Sequence, residues 1–312
     1  MAQVIVVGSV NADYSVRISH LPQPGETVTG GTLAVMQGGK GANQAHAAAR
    51  LGAAVSFVAA VGDDPAGDSA AADLASAGID LGGLLRSGEP TGVAVILVDA
   101  EGENMIAVAP GANAGLTAAD VTRLLDGRIG ADSVVLACLE VPLATVTAAA
   151  RAAAAGGATM VINPAPGQPL AAELVAGAIL TPNEGELLRL PGQDGAAQDA
   201  AGEQAAVDWL LAAGARAVIV TRGSRGATLF RAGHEPASFP APRIEVVDTV
   251  GAGDAFNGGL ATALAAGLSL ETAVTVAVAA GAAACTGAGP RQALPRAADI
   301  PALRTAPGLL TT

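Results

Sequence analysis

Asp254 stands directly behind Gly251-Ala252-Gly253 in the run Asp248-Thr249-Val250-Gly251-Ala252-Gly253-Asp254-Ala255-Phe256-Asn257-Gly258-Gly259. The run lies where a strand should turn into a helix. There the backbone N–H groups of Gly251, Ala252 and Gly253 can converge on an anion, helped by the positive end of the helix dipole. Asp254 then falls in the first helical turn, where its carboxylate can take a proton from a hydroxyl attacking a phosphate held beside it. The plainer reading makes Asp254 a favourable first-turn acid behind a glycine turn. The segment alone leaves both open.

A second glycine-rich run, Gly38-Gly39-Lys40-Gly41-Ala42-Asn43-Gln44-Ala45, opens another helix. It is not a Walker A loop, because Gly41 rather than Ser or Thr follows the lysine, and Gly8-Ser9-Val10-Asn11 lacks the GxGxxG pattern of a dinucleotide site. Lys40 is nevertheless the only lysine in the chain, against fifteen arginines, and a mobile ammonium suits a place near phosphates. Asn11, Asp13, Asn43 and Glu140 sit at loop positions near the ends of candidate strands, where amides and carboxylates can grip a polyol or serve as caps and turns. In Thr181-Pro182-Asn183-Glu184-Gly185-Glu186, Asn183 and Glu186 read either as a capping box or as groups facing Mg²⁺-bound water around a nucleotide triphosphate. The run Thr221-Arg222-Gly223-Ser224-Arg225-Gly226 ends a strand in a glycine turn that a flat base can approach.

The elements positioning these groups alternate. Short apolar strands at Val4–Val7, Ser56–Ala60, Val134–Ala137, Thr159–Ile162, Ala178–Leu180 and Ala217–Thr221 are interleaved with helices at Gly41–Leu51, Gly67–Ala77, Pro142–Ala155, Asn183–Leu190 and Gln204–Ala213, which predicts a parallel sheet covered on both faces. Two long Ala/Gly-rich helices follow, near Gly253–Ala266 and Leu270–Cys285. Tyr14–Ala34 and Thr91–Val108 break the rhythm; Val93–Val98 and Met105–Val108 read as a hairpin in a small separate sheet able to cover a cleft. No fixed-period repeat is present, and disorder is expected only in the last ten or so residues.

At 312 residues the chain can bury a large core as one domain with an appendage. Its formal charge of −12 argues against nucleic-acid and anionic-membrane partners. Cys138 and Cys285 lack CxxC spacing and His20, His46 and His234 are scattered, so no disulfide framework or zinc site is signalled. The Val4–Val7 run is too short and too weakly flanked for a signal or transmembrane segment, which points to a cytoplasmic protein.

Together these segments resemble the PfkB carbohydrate kinase family, closest to its ribokinase members, from the first strand to about Pro295. The matching stretches are Asn11–Asp13, Pro24–Thr27, Gly38–Ala45, Gly62–Asp64, Thr91–Ala94, Gly102–Asn104, Gly111–Ala114, Asn163–Pro166, Thr181–Glu184 and Asp248–Gly258, and all seven asparagines fall inside them. The resemblance implies a ribokinase-like three-layer α/β/α fold with a mostly parallel central sheet. It implies a single kinase domain over residues 1–312, with a small β lid from about 13–35 and 91–110 that also serves a homodimer. It assigns Asp254 as proton acceptor and Gly251, Ala252 and Gly253 as the anion hole. Asn11, Asp13, Gly39, Lys40, Asn43 and Glu140 go to the sugar, and Asn183, Glu186, Thr221, Arg222, Gly223, Ser224, Gly226 and Gly253 to MgATP. The implied reaction is ATP-dependent phosphorylation of a sugar's primary hydroxyl, with ribose giving ribose 5-phosphate. An activating K⁺ would be held by Asp248, Val250, Ala284, Gly287 and Gly289. Ala293 departs from the family's frequent serine at that site, and Val278 stands where a polar residue is expected near adenine. A nucleoside or another sugar as acceptor, a non-catalytic sugar-binding sensor and a nucleotide-dependent oxidoreductase are the rival readings. The intact Gly251–Asp254 run argues against the sensor, and the missing glycine fingerprint against the oxidoreductase.

Overall fold

The computed structural model describes residues 3–191, 199–304, 306 and 309; much of the tail expected to be disordered lies outside them. Among the described residues thirteen strands build two sheets. They are β1 (Gln3–Val7), β2 (Asn11–Arg17), β3 (Thr32–Gly38), β4 (Ala54–Gly62), β5 (Asp80–Ser87), β6 (Gly92–Val98), β7 (Asn104–Ala109), β8 (Ser133–Cys138), β9 (Thr159–Asn163), β10 (Ile179–Leu180), β11 (Ala217–Thr221), β12 (Ala227–Phe230) and β13 (Ala237–Phe239). The large sheet runs β13-β12-β11-β10-β9-β8-β1-β4-β5. All its neighbours pair in parallel except β11 with β12 and β12 with β13.

The inner strands β1, β4, β8, β9, β10, β11 and β12 are near-continuous buried runs because both faces are covered. Side-chain alternation splits β1 between two cores: Val4 and Val6 pack with the helices Lys40–Arg50, Ala252–Ala265 and Leu270–Ala284, while Ile5 and Val7 pack with Ala118–Leu125, Leu143–Gly156 and Ala200–Ala212. Small residues bring the first of these layers close: a Cβ on Gly258 would stand 2.5 Å from that of Ala47 on the Lys40–Arg50 helix. Strand order reverses at β1, whose neighbours are β4 on one side and β8 on the other. The crevice beyond the carboxyl ends of β1 and β8 is therefore where a ligand is expected in a sheet of this kind.

The second sheet, β3-β2-β6-β7, grows out of that crevice, because β2 begins four residues after β1 ends and the Lys40–Arg50 helix begins two residues after β3. Its hairpin β6–β7 pairs antiparallel as expected. Register places Leu33, Val35, Val95 and Met105 on one face with Tyr14, Val16 and Leu97, and Asp13 on the other.

Two expected elements are corrected in detail. Pro142 is the N-cap of Leu143–Gly156 rather than a first-turn residue, with an extended ψ of 139°. The helix expected at Asn183–Leu190 spans only Glu184–Leu187, with Asn183 as its N-cap and Leu188 as its C-cap. Among the described residues no helix is long and apolar enough to cross a membrane.

Candidate active site

Gly251 adopts φ 79° as N-cap of the helix Ala252–Ala265, and a Cβ there would also stand 2.7 Å from Cα of Pro290; both facts demand glycine. The turn is closed by Ala252 N–H donating to Thr249 O at 3.2 Å, so that amide is already engaged. At Gly253, by contrast, a Cβ would meet nothing within 4 Å, and the turn opens on space beside the helix N-terminus. This is the cradle an anion needs.

Asp254 follows in the first turn with 8% of its surface exposed. Two amides hold it: Asn43 Nδ2 donates to Oδ2 at 3.0 Å and Gln44 Nε2 to Oδ1 at 3.1 Å. Burial pushes its carboxyl up to about 6, against the attraction of Lys40 and the donation from Asn43, and Glu140 adds to the rise. A carboxylate so placed is ionised near neutrality yet basic enough to accept a proton. Burial alone would depress Lys40, but the Asp254 and Glu140 carboxylates outweigh it and hold the ammonium above its usual range.

The residues assigned to the sugar converge on the same crevice. Glu140, just beyond β8, accepts from Ser9 Oγ at 2.5 Å and from Lys40 N at 3.0 Å, and its Oε1 lies 4.0 Å from Lys40 Nζ. Gly39, at φ 86°, presses so close that a Cβ would stand 2.8 Å from Ser9 O and Asn11 N. Asn11 Oδ1 accepts from Asn113 Nδ2 at 2.8 Å, which leaves the Asn11 amide N–H groups for other partners. Asp13 is pushed up to about 6 by burial and by Glu140, with Arg291 and Lys40 opposing. Its Oδ1 and Gln44 Oε1 are the only buried side-chain N or O atoms without a hydrogen-bond partner among the described residues. An orphaned carboxylate oxygen suits a hydroxyl donor.

On the far side, Asn183 and Thr221 form a bridge that joins the ends of β10 and β11. Asn183 and Glu186 form a capping box, with reciprocal bonds of 2.9 and 2.8 Å, so the capping reading holds. Burial raises the Glu186 carboxyl, with the Asn183 amide and Lys40 opposing. Ser224 and Gly223 are exposed, while Gly226 is buried. Arg222 is committed elsewhere: its guanidinium pairs with Glu203, donates to Glu184 at 2.8 Å and reaches Thr228 Oγ1 at 2.9 Å. No group of three or more His, Cys, Asp or Glu that could hold a metal occurs among the described residues. Asp248 ties two loops together, accepting Val250 N–H at 3.0 Å and Gly289 N–H at 2.8 Å. Val247 N–H bonds Cys285 O at 2.9 Å alongside.

Several participants escape sequence reasoning. Gln44 bridges Asp254 and Asn163 Oδ1, the latter at 3.0 Å. Thr181 donates to Asn257 Oδ1 at 2.6 Å, and Asn257 Nδ2 donates to Gly253 O at 2.8 Å. Ser9 and Arg291 complete the set. For the amides a signal existed: asparagine is rare, and five of the seven, Asn11, Asn43, Asn113, Asn163 and Asn257, are buried.

Comparison with known proteins agrees with this geometry. A family model described as pfkB family carbohydrate kinase matches residues 1–297. A ribokinase of Haemophilus influenzae is 38% identical over 292 residues, covering 93% of this chain and 94% of that protein. A ribokinase of Bacillus subtilis is 35% identical over 276 residues, covering 88% and 89%. Among solved structures, the Thermotoga maritima ribokinase superposes with a TM-score of 0.83 at 33% identity, covering 96% of this chain and 98% of its own. The Arabidopsis thaliana ribokinase complexed with ribose and ATP gives 0.84 at 32% identity, with 96% and 98% covered.

Proposed function

The chain belongs to the pfkB family of carbohydrate kinases, and from that premise we propose that it transfers the γ-phosphoryl group of ATP to the primary hydroxyl of D-ribose, giving D-ribose 5-phosphate. The observation that carries the reading is Asp254: a buried carboxylate held by two amide donors, in the first turn of a helix whose N-terminus opens at Gly253. Near-full-length identity to several ribokinases supports ribose as acceptor.

In this reading Asn11, Asp13, Asn43 and Glu140 bind and orient the sugar, with the unpartnered Asp13 Oδ1 taking a sugar hydroxyl. Asp254 accepts the proton of the attacking hydroxyl. The N–H of Gly253 and the helix dipole meet the charge on the transferring group, and Lys40 adds its ammonium on the same side. Mg²⁺ bound with the nucleotide would neutralise phosphate charge, and we assign Asn183 and Glu186, beyond their capping role, to face its water. Thr221, Gly223, Ser224 and Gly226 offer a turn for the base; Arg222 serves by bracing that turn. A K⁺ held by Asp248 and the carbonyls of Val250, Ala284, Gly287 and Gly289 would stiffen the loop that carries Gly251. We read the chain as one kinase domain, cytoplasmic as its ATP supply requires, with the four-stranded sheet as lid and its exposed face as the homodimer contact.

The test is ADP formation from MgATP with ribose, 2-deoxyribose, fructose, adenosine and uridine, with and without potassium. Turnover on ribose that is lost in Asp254→Asn supports the assignment. Preference for a nucleoside overturns the substrate while keeping the chemistry.

A further inference from the structure

Arg291 lies beyond the last long helix; its guanidinium is largely withdrawn from solvent and bonds residues far away in sequence. It forms an ion pair with Asp73, which also bonds His46 Nε2 at 2.8 Å. Its Nη2 reaches Gly38 O at 3.4 Å, and its Nε donates to Asn43 Oδ1 at 2.9 Å. The other end of the same amide, Nδ2, donates to Asp254 Oδ2 at 3.0 Å.

A guanidinium has donors and no acceptor, so it can meet Asn43 only at the carbonyl oxygen. An ionised carboxylate has acceptors and no donor, so Asp254 can meet only the NH₂. We propose that Arg291 is a positioning residue for phosphoryl transfer: it fixes the orientation of the Asn43 amide, and through that rigid plane the orientation of the Asp254 carboxylate. Without its Nε–H, the amide loses the partner that forbids its rotation, and the donor on Asp254 is held only part of the time. The Asp73 ion pair fixes where the guanidinium sits, and the bond to Gly38 O ties it to the turn carrying Gly39 and Lys40. One N–H of Asn43 remains free, so Asn43 faces an acceptor sugar as a donor. The inference rests on the sugar-kinase reading of Asp254.

The test compares kcat and KM for ribose and for ATP in the unaltered protein, Arg291→Lys, Arg291→Met, Asn43→Ala and Asn43→Ala/Arg291→Lys. Arg291→Lys keeps the charge beside Asp73 but lacks the forked second donor, so it is expected to lose roughly tenfold or more in kcat with KM for ATP within about twofold. It should add no further loss in the Asn43→Ala background, because the two act as one unit. Rescue to the unaltered kcat by Arg291→Lys, or losses that multiply with Asn43→Ala, overturns the proposal. Thermal unfolding identifies a variant that has lost its fold. If Arg291→Met has, the decision passes to Arg291→Lys, which retains the ion pair. An unaltered protein without ATP-dependent turnover of any sugar fails the parent reading; normal turnover beside an indifferent Arg291→Lys fails this one alone.

Discussion

Around the carboxyl ends of β1 and β8, polar side chains are buried or half-buried and almost all partnered, in a chain of bonds from Asn163 through Gln44, Asp254 and Asn43 to Arg291 and Asp73. On the outer face of the four-stranded sheet the opposite holds: Leu33 and Val35 are 58% and 57% exposed, with Val95 and Met105 beside them. The first region has its geometry settled inside one chain, and a side chain there cannot move without unpairing a neighbour. The second has apolar surface with no use inside the chain, which is the signature of a surface meant to be covered. In the proposed reading the four-stranded sheet is a lid that moves over a reaction centre that does not, and the two sheets would divide those demands.

Exchanging Asp254 for Asn strikes the settled region hardest. It removes the base and keeps the shape, so kcat should fall by about 10²–10⁴ with the folded structure retained. A steady-state assay beside circular dichroism checks this, and a loss of fold with no separate loss of chemistry would sink the assignment. Next in size is Leu136→Ala in the buried core between β1 and β9: it should cost roughly 2–5 kcal/mol in urea unfolding. A third test is pH. The Asp254 and Asp13 carboxyls are both raised to about 6, so both are ionised above that value and take up protons below it. kcat/KM for ribose should therefore be flat above it and fall about tenfold per pH unit below, or more steeply if both carboxylates are needed. A profile flat down to pH 4 would contradict the role of Asp254. The smallest effect belongs to the exposed sheet. Val35→Lys should change the unfolding free energy of the chain by only about 0.5 kcal/mol, yet weaken self-association in sedimentation; an unchanged mass would show that this face is not the contact.

How far the sequence carries depends on how local the signal is. The turn Gly251–Gly253 and Asp254 are adjacent, so spacing alone puts a carboxylate in the first turn behind a glycine turn, and the family resemblance favours a base over a plain first-turn acid. The parallel strands announce themselves as apolar runs, and the hairpin β6–β7 by its turn. β5 was not legible, because Gly82 and Gly83 interrupt it and its pairing with β4 shifts register between Ser56 and Val58. The short antiparallel strands β12 and β13 carry too few residues for a pattern. The support of the site was least legible: Arg291 meets Asn43 across 248 positions and Gln44 meets Asn163 across 119, distances over which periodicity says nothing. Family resemblance supplied candidates, and the fold showed which of them touch.

The lone lysine has a practical side. Apart from the α-amino group, Lys40 is the chain's single primary amine, and its side chain is 36% exposed at the proposed reaction centre, beside Glu140. Amine-reactive dyes, crosslinkers and sensor surfaces, which on most proteins scatter over many sites, would have one internal target here. Coupling there would tether the molecule by its own working parts. Because the ammonium is held above its usual range, it reacts slowly, and bound ligands should slow it further. The extent of labelling then becomes a direct gauge of how full the cleft is.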